Sequence, residues 1–175
     1  MEARLVTALV ATAAVLCTAS TGCGGGSSSA TSAASSEPVQ TAGLFYSSLI
    51  REKATGQYEL AWKSLHPIHQ RVAPEAKYVR CENRTAFPGR LLKISVLRVK
   101  DEPVLIAGER ETVPSKAVTI RVSVASPGIP RPVVVTDTYH AIAVNGHWTW
   151  ILTKGNYAEY KAGHCPGVAP ASAKA

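Results

Sequence analysis

The stretch VTIRVSV, from Val118 to Val124, alternates strictly between aliphatic and polar side chains. Successive side chains of a β-strand point to opposite faces of a sheet, so this alternation predicts a strand with one buried and one solvent-facing side. This pattern constrains the fold more than any other in the chain, because it requires a sheet that covers a core on one side.

A β-hairpin is predicted nearer the carboxyl end, where Val133–Val144 and His147–Leu152 flank Asn145-Gly146, a dipeptide typical of two-residue hairpin turns. The turn predicts four cross-strand pairs: Val144 with His147, Ala143 with Trp148, Ala141 with Trp150, and Tyr139 with Leu152. One face then holds Asp137, Tyr139, Ala141, Ala143, Trp148, Trp150 and Leu152. A further strand is predicted over Leu91–Val99, with Leu92, Ile94 and Val96 alternating against Lys93 and Ser95.

The front half of the domain is predicted to be helical. Apolar residues recur three and four positions apart over Val39–Ile50, the pattern breaks at Thr55-Gly56, and it resumes over Tyr58–Leu65. This predicts two short helices or one broken helix.

His66 and His69 raise the question of a metal site, since histidines three apart on one helix would share a face. Pro67 lies between them and favours a helix that begins at Pro67, with His66 just outside it. No third ligand is near, whereas zinc requires three or four. Pro74 predicts another helix start that leads to Cys81, so the segment is interpreted as a corner of short helices with no metal.

Residues 1–22 have the layout of a secretory signal, with an apolar run too short to span a bilayer. Ser20-Thr21-Gly22-Cys23 resembles a bacterial lipobox, in which the cysteine is lipidated, although Ser20 replaces the usual Leu, Val or Ile. Ordinary signal cleavage and a free cysteine in a loop are the alternatives. The expected location is the extracytoplasmic side of a bacterial cell membrane, with the chain held by a lipid on Cys23.

The remaining chain divides into three predicted parts. Residues 23–40 form a Gly/Ser-rich tether of roughly 20 Å average span. Residues 41–167 suffice for one domain with a core, and residues 168–175 form a tail.

Cys81 and Cys165 are the cysteines left in the domain, and outside the cytoplasm they are expected to pair as a disulfide, with a catalytic cysteine as the alternative. The net charge of +7 comes from scattered basic residues without a run of like charges. Nucleic acid is therefore not an expected partner, whereas weak attraction to anionic lipid or cell-wall polymer is.

Helices followed by a curved antiparallel sheet and a long hairpin resemble the NTF2-like (cystatin-like α+β) fold. The segments GQYELAWKSLHPIHQ, SKAVTIRVSV and VNGHWTWIL carry the resemblance, which is to domains of exported proteins and lipoproteins of high-GC Gram-positive bacteria. The family implies a cone with a cavity at its mouth. Some members are ketosteroid isomerase-like or polyketide cyclase-like enzymes, and many are non-catalytic binding or interaction modules, so the fold alone does not select a function.

The expected function is binding without catalysis or cofactor, of a small apolar ligand or an envelope protein. Aromatic residues are the candidate pocket walls, with plain core as their alternative role: Tyr58, Trp62, Tyr139, Trp148 and Trp150. Asp137 is the candidate acid/base of the alternative, an enzyme, because a carboxylate in an apolar pocket would have a raised pKa. No hydrolase, phosphate-loop or metal-ligand motif supports another reaction. A homodimer through the open face of the sheet is a third possibility.

Overall fold

The computed structural model describes residues 39–85 and 87–167. The predicted signal segment, Cys23, nearly all of the tether and the tail (168–175) lie outside the described residues, and those assignments stay predictions.

The described residues form a mixed α+β domain in which helices precede an antiparallel sheet, as the sequence predicted. The helices are α1 (Val39–Ala54), α2 (Tyr58–Lys63), α3 (Pro67–Val72), α4 (Glu75–Arg84) and α5 (Lys154–Lys161). The strands are β1 (Arg90–Asp101), β2 (Val104–Leu105), β3 (Thr112–Val113), β4 (Lys116–Ala125), β5 (Val133–Val144) and β6 (His147–Thr149).

The helix boundaries follow local chemistry. Gly56 adopts a positive φ of 73° between α1 and α2, which confirms the predicted break. Pro67 is the first residue of α3, where its missing N–H costs nothing. The His66 side chain caps this helix, because its Nδ1 accepts a hydrogen bond from the Ile68 N–H at 3.4 Å. Pro74 directly precedes α4, so both predicted proline starts are confirmed.

Four strands form the main sheet in the order β1-β4-β5-β6, with antiparallel neighbours throughout, and β2 pairs with β3 in a separate ribbon. The alternating stretch lies in β4, with Val118 and Ile120 buried and Arg121 exposed, as predicted. We call the side of the sheet that carries Val118 and Ile120 the inner face, and the opposite side the outer face. Helix α1 packs on β1 and β4.

The hairpin register is confirmed near the turn and wrong farther away. Val144 pairs with His147 and Ala143 with Trp148, as predicted. The predicted pairs of Ala141 with Trp150 and of Tyr139 with Leu152 do not form, because β6 ends at Thr149.

Trp150 does not continue the hairpin, because the segment before α3 supplies hydrogen-bond partners for its backbone N–H and carbonyl groups. Its N–H donates to the Ser64 carbonyl oxygen at 3.0 Å, and its carbonyl oxygen accepts from the His66 N–H at 2.8 Å. Leu65 and Trp150 thereby form an isolated parallel bridge. The segment 64–66 thus pairs with Trp150 in place of β5, the predicted partner.

Strand β1 departs from simple alternation at two β-bulges, between Leu91 and Lys93 and between Val96 and Arg98. Each bulge inserts one residue and exchanges the faces of the residues that follow. Leu92 was predicted to share a face with Ile94, but it is the inserted residue of the first bulge and is 40% exposed.

The structure brings Cys81 and Cys165 into bonding distance, with Cα atoms 5.1 Å apart. Cys81 lies buried in α4, and Cys165 follows α5. The fold therefore accommodates the predicted disulfide, which would fasten the carboxyl-terminal end of the described chain to the fourth helix.

Candidate functional site

A cavity of about 340 Å³ lies between α1 and the inner face of the sheet. Helix α1 contributes one wall, and β4 and β5 contribute the opposite one. The segment after β6, together with Phe87 and Pro88, closes the remaining sides. The aliphatic part of the lining includes Leu49, Ile50, Ile120, Val122, Val124, Val135, Ile151 and Leu152. A volume of this size lies at the lower end of the range for small-molecule sites.

One stacked aromatic pair and one tryptophan form part of the cavity wall. Tyr46 stacks on Tyr139 with ring centroids 5.3 Å apart, and its hydroxyl donates to the His140 carbonyl oxygen at 2.7 Å. Burial raises the pKa of Tyr46, so this hydroxyl keeps its proton and stays a donor. Trp150 is fixed in the same way, since its Nε1–H donates to the Ala61 carbonyl oxygen at 2.7 Å. Tyr46 and Trp150 are therefore each held by a hydrogen bond to a backbone carbonyl oxygen, and Tyr46 also by its contact with Tyr139.

Lys53 brings a charge to this apolar wall. Its Nζ lies 4.2 Å from the centroid of the Trp150 ring and 3.6 Å from a carboxylate oxygen of Glu82. Burial lowers the pKa of Lys53, and Glu82 acts in the opposite direction. The Lys53 side chain as a whole is 27% exposed. The residue was not singled out from the sequence, although it follows Tyr46, Leu49 and Ile50 at helical spacing.

The structure brings only part of the predicted pocket together. Tyr139 and Trp150 line the cavity, but Tyr58 is buried in the core near α4. Trp62 is half-buried in the corner, where its Nε1–H donates to the Ala73 carbonyl oxygen at 2.7 Å. Trp148 is half-buried and packs against the core without lining the cavity. These three follow the plain-core alternative.

The structure places Asp137, the candidate acid/base, at an exposed position. It lies on the inner face opposite Ile120, as the predicted face implied, yet its side chain is exposed. One carboxylate oxygen accepts a hydrogen bond from the Thr138 N–H at 2.8 Å. Asp137 does not line the cavity, although Val135 and Tyr139, its neighbours on the same face, do.

His69, one of the two histidines considered as metal ligands, makes two hydrogen bonds inside the core. It is fully buried, its Nε2–H donates to the Ala107 carbonyl oxygen at 3.0 Å, and its Nδ1 accepts from the Leu152 N–H at 2.9 Å. Both ring nitrogens are thus occupied, and the neutral ring joins three segments of the chain. The His66 ring centroid lies 6.3 Å away. Within residues 39–85 and 87–167, no three His, Cys, Asp or Glu side chains gather as a metal site.

Acid is expected to destabilise the domain through this corner. Burial lowers the pKa of His69, and burial followed by repulsion from His69 lowers that of His66. As the pH falls, these two histidines therefore bind protons in the unfolded chain before they do so in the folded chain. The free energy of unfolding is highest above the ordinary histidine pKa of 6.5 and falls as the pH drops below it, through the lowered pKa values of the folded state. The expected slope approaches about 1.4 kcal/mol per pH unit for each histidine.

Urea unfolding between about pH 7 and about pH 5 measures this slope, since histidine titrates in that range. His66→Asn should reduce the slope while it keeps a good helix cap. His147→Asn, at an exposed position, is the matched control. A stability that stays flat across this range would contradict the prediction.

A second cavity, of about 630 Å³, lies between the segment Val104–Glu109 and helix α5, on the other side of Ile151–Thr153. Neither α5 nor the segment that begins with β2, its two borders, was predicted from the sequence. The α5 helix begins at a Thr153 side-chain cap, but its Gly155 and weak apolar periodicity hide it in the sequence. We favour the first cavity as the site, because rigid core elements form its walls.

In the part of the chain that the structure describes, no helix combines the length and apolar character needed to cross a membrane. A scan against protein-family models and searches of curated proteins and of solved structures found no match to this chain.

Proposed function

We propose that this chain is an extracytoplasmic lipoprotein, anchored by Cys23, whose domain binds a small apolar ligand without catalysis. We further propose that the domain is an NTF2-like cone and that the cavity between α1 and the inner face is its mouth. The order of helices and antiparallel strands supports the fold assignment. The observation that carries the function is the cavity itself, with its apolar walls and fixed aromatic rings.

The exposure of the inner face supports a ligand in this position. Val135 lines the cavity and is 52% exposed, and Val133 on the same face is 38% exposed. A small apolar molecule would remove these aliphatic surfaces from water, at about 25 cal/mol for each Å² covered. Lys53, held over the Trp150 ring, would then mark the polar end of the site. The exposed position of Asp137 offers no comparable support for an enzyme.

Val135→Trp is expected to weaken ligand binding at least tenfold, because the larger side chain would occupy the cavity from its rim. Val134→Trp is the matched control: the neighbouring residue is 57% exposed and lies on the outer face opposite Ser123. The fluorescent apolar probe N-phenyl-1-naphthylamine reports binding to both variants and to the unmodified chain. Equal probe affinity for all three proteins would refute the cavity as the binding site.

Native mass spectrometry of the protein taken from its own membranes identifies the natural occupant. A reproducible extra mass that is lost on unfolding, and that is absent from the Val135→Trp variant, is the expected result. A clean mass for the unmodified protein would move the search to a protein partner.

A further inference from the structure

The strand register gathers on one face the basic residues that look scattered in the sequence. Pairing across β1 and β4 places Arg90, Lys93, Arg98 and Lys100 on the outer face, in register with alternate residues of β4. Arg121 of β4 lies on the same face, opposite Ser95. All five side chains are exposed. We refer to these five residues as the basic face.

The two bulges of β1 add Lys93 to the face that Arg90, Arg98 and Lys100 share. Under strict alternation, Lys93 would point to the side opposite Arg90 and Arg98. The inserted Leu92 moves Lys93 to the outer face, and the inserted Leu97 returns the strand to its earlier phase so that Arg98 joins it. The first shift also places Ile94 on the inner face, and the second keeps Val99 there, so the bulges affect both the core and the charged face.

Little negative charge offsets the basic face. None of the paired positions of β1, β4 and β5 that point outward holds an acidic residue; on β4 and β5 they carry mainly serine, threonine, alanine and valine. Lys100 forms an ion pair with Glu102, just beyond the end of β1. In the described segments 39–85 and 87–167, Arg90, Lys93, Arg98 and Arg121 have no acidic partner within ion-pair distance.

We propose that the basic face docks on an anionic lipid bilayer. Four cations that form no ion pair among the described residues complement such a bilayer, where each basic side chain near the headgroups favours binding about fivefold. Val134, 57% exposed on the same face, adds an aliphatic side chain. A lipid bilayer would remove this side chain from water, whereas a hydrated polymer would not. A second copy of the chain is disfavoured as occupant, because two such faces would oppose like charges.

Docking is distinct from ligand binding in the cavity, because the cavity lies on the inner face. The proposed tether of residues 23–40, with its average span of roughly 20 Å, would keep the domain close to the surface. The attraction acts only within a Debye length, roughly 8 Å at physiological salt, so a short tether and a basic face would reinforce each other.

Vesicle binding tests the proposal. The full chain carries Cys23→Ser so that no lipid is attached, and is mixed with vesicles of phosphatidylglycerol and phosphatidylcholine in equal parts, or of phosphatidylcholine alone. An outer-face variant replaces four cations with glutamine: Arg90, Lys93, Arg98 and Arg121. A helix variant, matched in charge, replaces four exposed cations of α1 to α4: Arg51, Lys63, Arg71 and Arg80.

The outer-face variant is expected to lose roughly 600-fold in partition onto the anionic vesicles, about fivefold for each of the four cations. The helix variant should lose far less, and binding of the unmodified chain should fall with added salt. Equal losses in both variants, no loss in either, or preference for soluble polyphosphate over vesicles would each overturn the proposal. Acetylation of the unmodified chain gives a second measure that needs no variant: anionic vesicles should protect Lys93 and leave Lys63 reactive.

Discussion

Replacing both Cys81 and Cys165 with alanine is expected to lower the free energy of unfolding by on the order of 4 kcal/mol. The two residues are 84 positions apart, so the disulfide would close a long loop and remove much of the entropy of the unfolded chain. Since a domain of this size is stable by about 5–15 kcal/mol, the loss would take a large share of the total. Urea unfolding followed by tryptophan fluorescence measures it.

Cys23→Ala is the control for this double replacement, because it removes a cysteine and leaves the predicted bridge in place. Adding a reductant to the unmodified protein should shift its unfolding midpoint toward that of the double variant. An unfolding midpoint that is the same for oxidised and reduced protein would contradict the disulfide.

His69→Ala is expected to cost about 3–5 kcal/mol, the second large effect. The replacement would leave the Ala107 carbonyl oxygen and the Leu152 N–H buried without partners, at about 1–3 kcal/mol each, and would add a cavity. His69→Gln retains an amide that can serve one of these groups, so it should recover part of the loss. Denaturant unfolding compares the variants.

His147→Ala, at an exposed position in β6, is the matched control and should change stability by less than about 0.5 kcal/mol. A cost below about 1 kcal/mol for His69→Ala would mean that water replaces both hydrogen bonds and that the corner does not depend on the ring.

The sequence predicted those parts of the fold that depend on neighbouring residues. The proline starts of α3 and α4 and the turn at Asn145-Gly146 depend on backbone chemistry within a few positions. The strand around Ile120 depends on a simple period. The end of β6 depends instead on a contact between Trp150 and Leu65, far apart in the chain, which no local pattern encodes.

The candidate site was predicted less completely than the fold. Tyr139 and Trp150 reach the cavity, whereas Trp62 and Trp148 serve the packing, and an aromatic residue in a sequence does not reveal which role it has. The face of Asp137 could be derived from alternation, but its exposure on that face could not.

The basic face could not be predicted from the sequence, for a different reason. A bulge changes the face of every following residue, and nothing in LLKISVLRV announces where Leu92 and Leu97 are inserted. The basic residues therefore look scattered along the sequence, although the folded strands bring five of them to one face.

The long-range contacts of the domain also set the order in which it can be completed during synthesis. Tyr46 bonds to His140, 94 positions later, and His69 bonds to Leu152, 83 positions later. The first helices to emerge therefore lack their partners until the final strands have been made. Contacts of such separation form slowly. The described domain therefore cannot complete its core until the residues around Leu152 have been synthesised.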